Sequence, residues 1–367
     1  MQIQSEYGSR GEGMSKYWSD LVKKVEPYVP GEQPKDRKYI KLNTNENPYP
    51  PSPRALEAIR KAADDTLKLY PEPECESLCK VIGQYFNLKK EQVFVGNGSD
   101  EVLAFSFMAF FNPRKPILFP DITYSFYPVY SELFDIDYRL VPLDEEFNVP
   151  VGKFHDENGG IIIPNPNAPT SKFLPLESIK SILERNMDSV VIIDEAYVDF
   201  GGESAARLIN EFPNLLVIHT LSKSHSLAGL RIGFALGHRD LTEALRRIKN
   251  SINSYTIDRL ALAGAIEAMK DEKYFRKTRS KIIRTRERIT AELKEIGFKV
   301  VDSTANFVFI SHKSVDGGTI FQKLRLDGIL VRYFNKPRIN NFLRVSIGTD
   351  EEMDRLLEAL KKIIANQ

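Results

Sequence analysis

The sequence predicts an α/β fold: a large domain with a mostly parallel central sheet covered by helices, followed by a smaller α+β domain built mainly from the C-terminal third. Three observations lead there. Four short β-rich apolar runs, "PILFPD", "GIIIPNP", "SVVIIDEA" and "LLVIHTLS", each end in polar residues or proline. They are apolar on both faces, as strands covered by helices on each side must be. Helical patterns such as "PLESIKSILERN" separate several of them, and that alternation builds layered α/β units. After about Ser254 the character changes to a long charged helical stretch, then to strands with flanking helices.

Taken in order, the chain opens with a charged, proline-dotted segment ("EPYVPGEQPKDRKY") that reads as an extended arm over residues 1–41. "NTNENPYPPSP" is a dense turn cluster. "ALEAIRKAADDTLKL" has helical periodicity, and "QVFVGNGSDEVLAFSFMAFF" reads as a strand, a glycine-containing turn and a helix start. The four apolar runs follow, completing a large domain over residues 42–254. Residues 255–367 carry "GFKVV", "NFVFI", "ILVRYF", "FLRVSIG" and a terminal helix "DEEMDRLLEALKKIIA", the expected second domain.

Bulk composition narrows the function classes. The 367 residues are 42% hydrophobic and 28% charged with a net charge of +1, so nothing in the total calls for nucleic acid or an anionic membrane. No apolar run approaches the roughly 18–20 residues that span a bilayer. The polar start lacks the apolar segment of a secretory signal. Both cysteines, Cys75 and Cys79, fall on one helix face with no further Cys or His nearby, so neither a disulfide nor a metal site is expected. Reduced thiols of this kind suit a cytoplasmic protein.

In open α/β sheets, ligands bind outside the carboxyl ends of the strands. Asp194 and Tyr197 follow one predicted strand, and Ser222, Lys223 and Arg231 follow the next. A lysine in such a crevice can form a Schiff base with an aldehyde, of which pyridoxal 5'-phosphate is the common biological example. Its pyridine nitrogen needs a carboxylate partner, for which Asp194 is the candidate. Tyr197 could hydrogen-bond the ring oxygen. Ser222, Arg231 and the backbone N–H groups of Ser99 and Asp100 in "GNGSDE" could hold the phosphate, because a helix start favours an anion. Tyr124, in "DITYSFYPVY", could cover the ring face. Each feature alone has a plainer reading: a surface lysine, a turn, a salt-bridging arginine, a core aromatic. Their joint occurrence at neighbouring strand ends favours the site.

With these residues in view, the chain resembles the fold-type I pyridoxal-phosphate aminotransferases from about Tyr28 to its C-terminus. The motifs that carry the likeness are "LNTNENPYP", "YPEP", "GNGSDE", "DEAY", "TLSKSHSLAGLRIGF" and "FLRVSIGT". The resemblance implies Lys223 as the cofactor lysine, Asp194 against the pyridine nitrogen and Tyr197 on the ring oxygen. It implies Tyr70 reaching a neighbouring subunit's cofactor phosphate, and hence a homodimer. It places Asn45, Asn47 and the arm residue Tyr28 near substrate, with Arg332 and Arg344 as anion-binding arginines. The implied reaction is amino transfer between L-histidinol phosphate and 2-oxoglutarate, in histidine biosynthesis. A threonine-phosphate decarboxylase or an aromatic amino acid aminotransferase on the same scaffold is the alternative, and a cofactor-binding regulator without turnover is a rival of another class.

One departure stands out. The family's "NPNNPTG" reads "NPNAPTS" here, so Ala168 replaces the asparagine that would bond the ring oxygen and Ser171 replaces the closing glycine. Either Asn167 moves in to replace it or Tyr197 makes that contact with less help; Asn165 is a weaker substitute.

Overall fold

The computed structural model describes residues 15–111 and 115–365 of the chain. Residues 1–14 of the expected arm lie outside them. After a short helix, Asp20–Lys24, the chain enters strand β1 (Ile40–Leu42). Seven strands then form the larger sheet: β2 (Val93–Asn97), β3 (Ile117–Pro120), β4 (Tyr138–Val141), β5 (Ile161–Pro164), β6 (Val191–Asp194), β7 (Leu215–Thr220) and β8 (Ile232–Gly237). Their order across the sheet is β2-β8-β7-β6-β5-β3-β4. Strands β3 to β7 pair in parallel, while β8 runs antiparallel to both β7 and β2.

The alternation of a strand explains why these runs are apolar throughout. Ile161, Ile163, Val191, Ile193, Leu215 and Val217 face one core, against Ile179, Ile182 and Leu183 of helix Leu176–Arg185. Ile162, Ile192, Leu216 and Ile218 face the other, against Val102, Leu103 and Phe105 of helix Gly98–Phe110. Burial of each such side chain contributes about 1.5–3 kcal/mol.

The second sheet has the order β1-β11-β12-β10-β9, with β9 (Phe298–Val301), β10 (Phe307–His312), β11 (Ile329–Tyr333) and β12 (Leu343–Ser346). Helices Glu272–Glu295 and Asp350–Ala365 cover it, burying Ile282, Ile289, Leu293, Leu356 and Leu360. The expected junction between residues 41 and 42 falls inside β1, which pairs in parallel with β11. The charged stretch after Ser254 is two helices. The first, Arg259–Lys270, buries Ala261, Ala265, Ala268 and Met269 in the core of the larger sheet. That core therefore extends past the expected junction at residue 254.

Candidate active site

The carboxyl ends of β5, β6 and β7 open onto a cavity of about 370 Å³. Its opposite walls come from the segment after β1 and from Arg332 and Arg344 on β11 and β12.

Asp194 is the last residue of β6 and is nearly fully buried. Tyr127 Oη donates to Asp194 Oδ2 at 2.9 Å, and the Ala196 N–H approaches Oδ1 at 3.3 Å. Burial pushes the Asp194 carboxyl up to about 6, and the Tyr127 hydroxyl holds it back from going higher. Tyr197 lies in the turn that follows, edge-on to Phe307 with ring centroids 5.0 Å apart. Its hydroxyl accepts a bond from Asn45 Nδ2 at 3.1 Å. The neighbouring Glu195 serves another purpose: it is 3.0 Å from His219 and accepts the Ala205 N–H at 2.7 Å, away from the cavity. Burial opposes charge on His219, but Glu195 outweighs it and raises the imidazole above its ordinary value.

Lys223 follows β7 and lines the cavity, with Nζ donating to the Thr44 carbonyl at 3.1 Å. Burial, helped by the Arg344 charge, brings its ammonium down to about 8. Asn47 lies outside the cavity lining; its amide donates to the carbonyls of Lys223 (2.9 Å) and Ser224 (3.3 Å) and so pins the lysine's turn. Ser222 accepts from Thr220 Oγ1 at 2.9 Å, which leaves its own proton free for a ligand.

Ser99 and Asp100 begin helix Gly98–Phe110, whose first N–H groups have no partner within the helix. The Asp100 carboxylate accepts Arg231 Nη2 at 3.0 Å and Tyr124 Oη at 2.9 Å. Arg231 holds a left-handed backbone (φ 54), and a Cβ at Gly98 would sit 2.4 Å from its guanidinium. Ser99, Ser222 and Arg231 thus converge at one end of the cavity, with Tyr124 beside them.

At the other end Arg332 and Arg344 are register partners on β11 and β12. Among the described residues they hydrogen-bond to backbone carbonyls: Val29 and Pro30 for Arg332 (3.2 and 3.4 Å), Asn43 for Arg344 (2.9 Å). Arg344 Nε is buried with no partner, and burial lowers the affinity of this guanidinium for its proton. Two guanidinium groups with no carboxylate partner among the described residues make a site for an anion. Tyr28 completes the wall, stacked on Phe126 at 4.2 Å and 6.3 Å from Tyr124.

Four expected site residues lie outside the cavity lining: Asn45 and Asn47, which bond to groups that line it, and Asn167 and Tyr70, which do not. Asn167 does not move into the place left by Ala168. Its side chain is buried and donates to the Ile122 carbonyl at 2.8 Å, outside the cavity that Ala168 lines. Tyr70 is 77% exposed, stacked on Tyr255 at 4.5 Å, and outside this chain's cavity. The sequence reading missed Tyr127, Thr44 and Glu46. Glu46 stood between two chosen asparagines, and Tyr127 stands three residues after Tyr124 in the segment read for a ring cover.

The donor set fits pyridoxal phosphate. Cationic and hydroxyl donors stand at one end, a buried carboxylate at the strand base, and a lysine of reduced basicity between them and the unpaired arginines. Among the described residues no cluster could hold a metal ion, and no helix is long and apolar enough to cross a membrane.

Comparison with known proteins agrees with this geometry. The family model for aminotransferase class I and II matches residues 37–360. A histidinol-phosphate aminotransferase of Clostridium beijerinckii is 61% identical over 353 residues, covering 96% of this chain and 99% of that one. One of Clostridium acetobutylicum is 62% identical over 352 residues, covering 96% and 100%. Among solved structures, the histidinol-phosphate aminotransferase of Sinorhizobium meliloti in complex with pyridoxal-5'-phosphate superposes with a TM-score of 0.86 over 96% of this chain and 99% of that one, at 24% identity. A mutant form of the aspartate aminotransferase of Thermus thermophilus shares the fold at a TM-score of 0.81 and 19% identity, covering 95% and 100%. With a family match over most of its length and relatives this close, the chain belongs to the class I and II aminotransferases.

Proposed function

We propose that the chain is a pyridoxal-phosphate-dependent enzyme that moves an amino group between L-histidinol phosphate and 2-oxoglutarate, a step of histidine biosynthesis. The observation that carries this reading is the meeting of Lys223, Asp194 and a pair of unpaired arginines in one cavity. Relatives that share about 60% of its residues and bear that name support the substrate.

When bound, pyridoxal phosphate supplies an aldehyde carbon and an electron-withdrawing ring. The chain's residues do the rest. Arg231, Ser222 and the N–H groups of Ser99 and Asp100 take the phosphate. Asp194 keeps a proton on the ring nitrogen. Tyr197 donates to the ring oxygen and Tyr124 covers the ring. Lys223, brought to about 8, takes the α-proton of the substrate as base and returns it as acid. Arg344 and Arg332 take the phosphate of one substrate and a carboxylate of the other in turn. Tyr28 shapes the entrance, while Asn45 and Asn47, behind the cavity wall, hold the Tyr197 hydroxyl and the Lys223 turn in place.

The same reading covers assembly. The exposed apolar strip of Leu67, Leu69, Tyr70 and Tyr255 suits burial against a second copy, where Tyr70 would reach the other cavity. Three units, an arm over 1–41, a large domain over 42–254 and a small one over 255–367, are proposed, with β1 docked on the small sheet and helix Arg259–Lys270 packed back on the large one. A cytoplasmic setting suits the free buried thiols Cys75 and Cys79.

A substrate panel tests it: histidinol phosphate, phosphothreonine, phenylalanine and tyrosine, each followed by the cofactor spectrum and by carbon dioxide release. Histidinol phosphate should react fastest, without carbon dioxide. A lower rank than the aromatic amino acids, or carbon dioxide from phosphothreonine, overturns the substrate assignment. Lys223→Ala should lose the visible band and at least about a hundredfold in rate; normal turnover in that variant ends the mechanism.

A further inference from the structure

The asparagine that the family places beside the ring oxygen is Ala168 here, and the structure shows what stands in that neighbourhood instead. Ala168 packs in one small cluster with Ala305, Phe307 and the Tyr197 ring. Asn45, which is 1% exposed, meets the Tyr197 hydroxyl. Its amide orientation is set locally. Ser346 Oγ accepts the Asn45 backbone N–H at 2.8 Å and donates to Asn45 Oδ1 at 2.9 Å. The Asn45 carbonyl accepts Asn306 Nδ2 at 2.9 Å. With Oδ1 occupied, Nδ2 is left to donate, and it does so to Tyr197 Oη at 3.1 Å. A hydroxyl that accepts one bond keeps its own proton for another. Among the described residues no acceptor takes that proton, and Tyr197 lines the cavity.

We infer that Asn45 is a positioning residue: through Ser346 it sets the direction of the Tyr197 hydroxyl, and this donation replaces the help that an amide at position 168 would give to the ring oxygen. The inference rests on the cofactor site proposed above. The charged and titratable groups around the Tyr197 hydroxyl are Arg344 from β12, Asp194 from β6, Asp100 from the helix start, Tyr124, Tyr127 from helix Phe126–Leu133, and Lys223, whose Nζ lies 5.8 Å from the ring centroid. None of them changes in the variants below, so a difference between variants reports on position 45 or 168.

The backbone of Asn45 is left-handed (φ 56), so glycine is the truncation that leaves it unstrained. The readout is the pH midpoint of the visible absorption of the lysine-bound cofactor. Weaker donation leaves more negative charge on the ring oxygen, which holds the neighbouring nitrogen's proton more tightly. Asn45→Gly should raise the midpoint by about half to one pH unit, the equivalent of one ordinary hydrogen bond. Adding Ala168→Asn to Asn45→Gly should bring it back down. In cofactor-free protein, the Tyr197 phenol should titrate higher in Asn45→Gly than in the parent, by NMR of a labelled ring carbon. Asn45→Ala, which likewise removes the donor but adds no charge and keeps a Cβ, should raise the visible midpoint too. It carries the test if the glycine variant does not fold.

Tyr197→Phe is the control. If it raises the midpoint while neither position 45 variant does, the inference is overturned and the cofactor site stands. If Tyr197→Phe itself leaves the midpoint unmoved, the placement of Tyr197 on the ring oxygen fails and the inference falls with it. A position 45 shift that Ala168→Asn does not reverse overturns the replacement of one amide by the other.

Discussion

Asp194 illustrates how a single residue's chemistry depends on groups far away in sequence. Its type and its place at a strand end are visible in "VVIIDEAY", because strand ends in α/β sheets are where ligands bind. Its protonation is not visible there, since that depends on burial and on Tyr127, a donor 67 residues earlier. Tyr127 reads as one core aromatic among several, and only the packing of helix Phe126–Leu133 aims its hydroxyl at the carboxylate. Tyr127→Phe removes the donor and keeps the volume. At pH 8, where Asp194 is ionised, the cofactor-free variant should lose about 1.5–3 kcal/mol, the scale of a hydrogen bond to a charged group. At pH 4, where the carboxyl is protonated, the loss should be smaller. Urea unfolding at the two pH values checks this; equal losses would mean that Tyr127 acts by packing alone.

At the scale of elements, the strands that read as central are central, because an all-apolar run fits a doubly covered position. Strand direction was not legible. "IGFALG" became β8, antiparallel to its neighbours, and composition carries no sign of direction. The pairing of β1 with β11 joins segments 289 residues apart, as the register Ile40–Ile329 shows, and no local pattern encodes such a partner. The glycines of β8 and of the helix start show what the crossing requires. A Cβ at Gly233 would lie 2.2 Å from the Ser99 nitrogen and 2.3 Å from the Gly98 carbonyl carbon, both backbone atoms that cannot swing aside. Gly233→Ala must therefore displace the helix start that offers its N–H groups to an anion. The expected result is a stability loss of about 1–3 kcal/mol and a larger loss of affinity for pyridoxal phosphate than for pyridoxal, which lacks the phosphate. Equilibrium dialysis with both compounds checks it. Equal losses would place the damage outside the phosphate end.

Across the whole molecule, two cores meet around a cavity that neither could enclose alone, and that burial leaves a signature in stability against pH. Asp194 goes from an ordinary 3.8 to about 6, and Lys223 from 10.5 to about 8. For Asp194 the folded state binds its proton more tightly than the unfolded chain does, so this contribution is present below pH 4 and is lost as pH rises through about 6. At about 1.4 kcal/mol per tenfold in proton affinity, the loss is roughly 3 kcal/mol. For Lys223 the folded state binds its proton less tightly, so stability rises with pH between about 8 and 10.5. Cofactor-free protein should therefore lose stability from pH 4 to pH 6 through this carboxyl and gain it above pH 8 through this ammonium. Asp194→Asn should flatten the first limb and Lys223→Met the second, each leaving the other limb in place. The two limbs are assigned by difference against the parent, because other groups titrate in the same windows. Bound cofactor should weaken both dependences, since a protonated ring nitrogen gives Asp194 its missing partner and a covalent bond removes the free lysine. If the differences vanish in the cofactor-free protein, the cavity is wetter than its walls imply, and neither group carries the burial on which its chemistry depends.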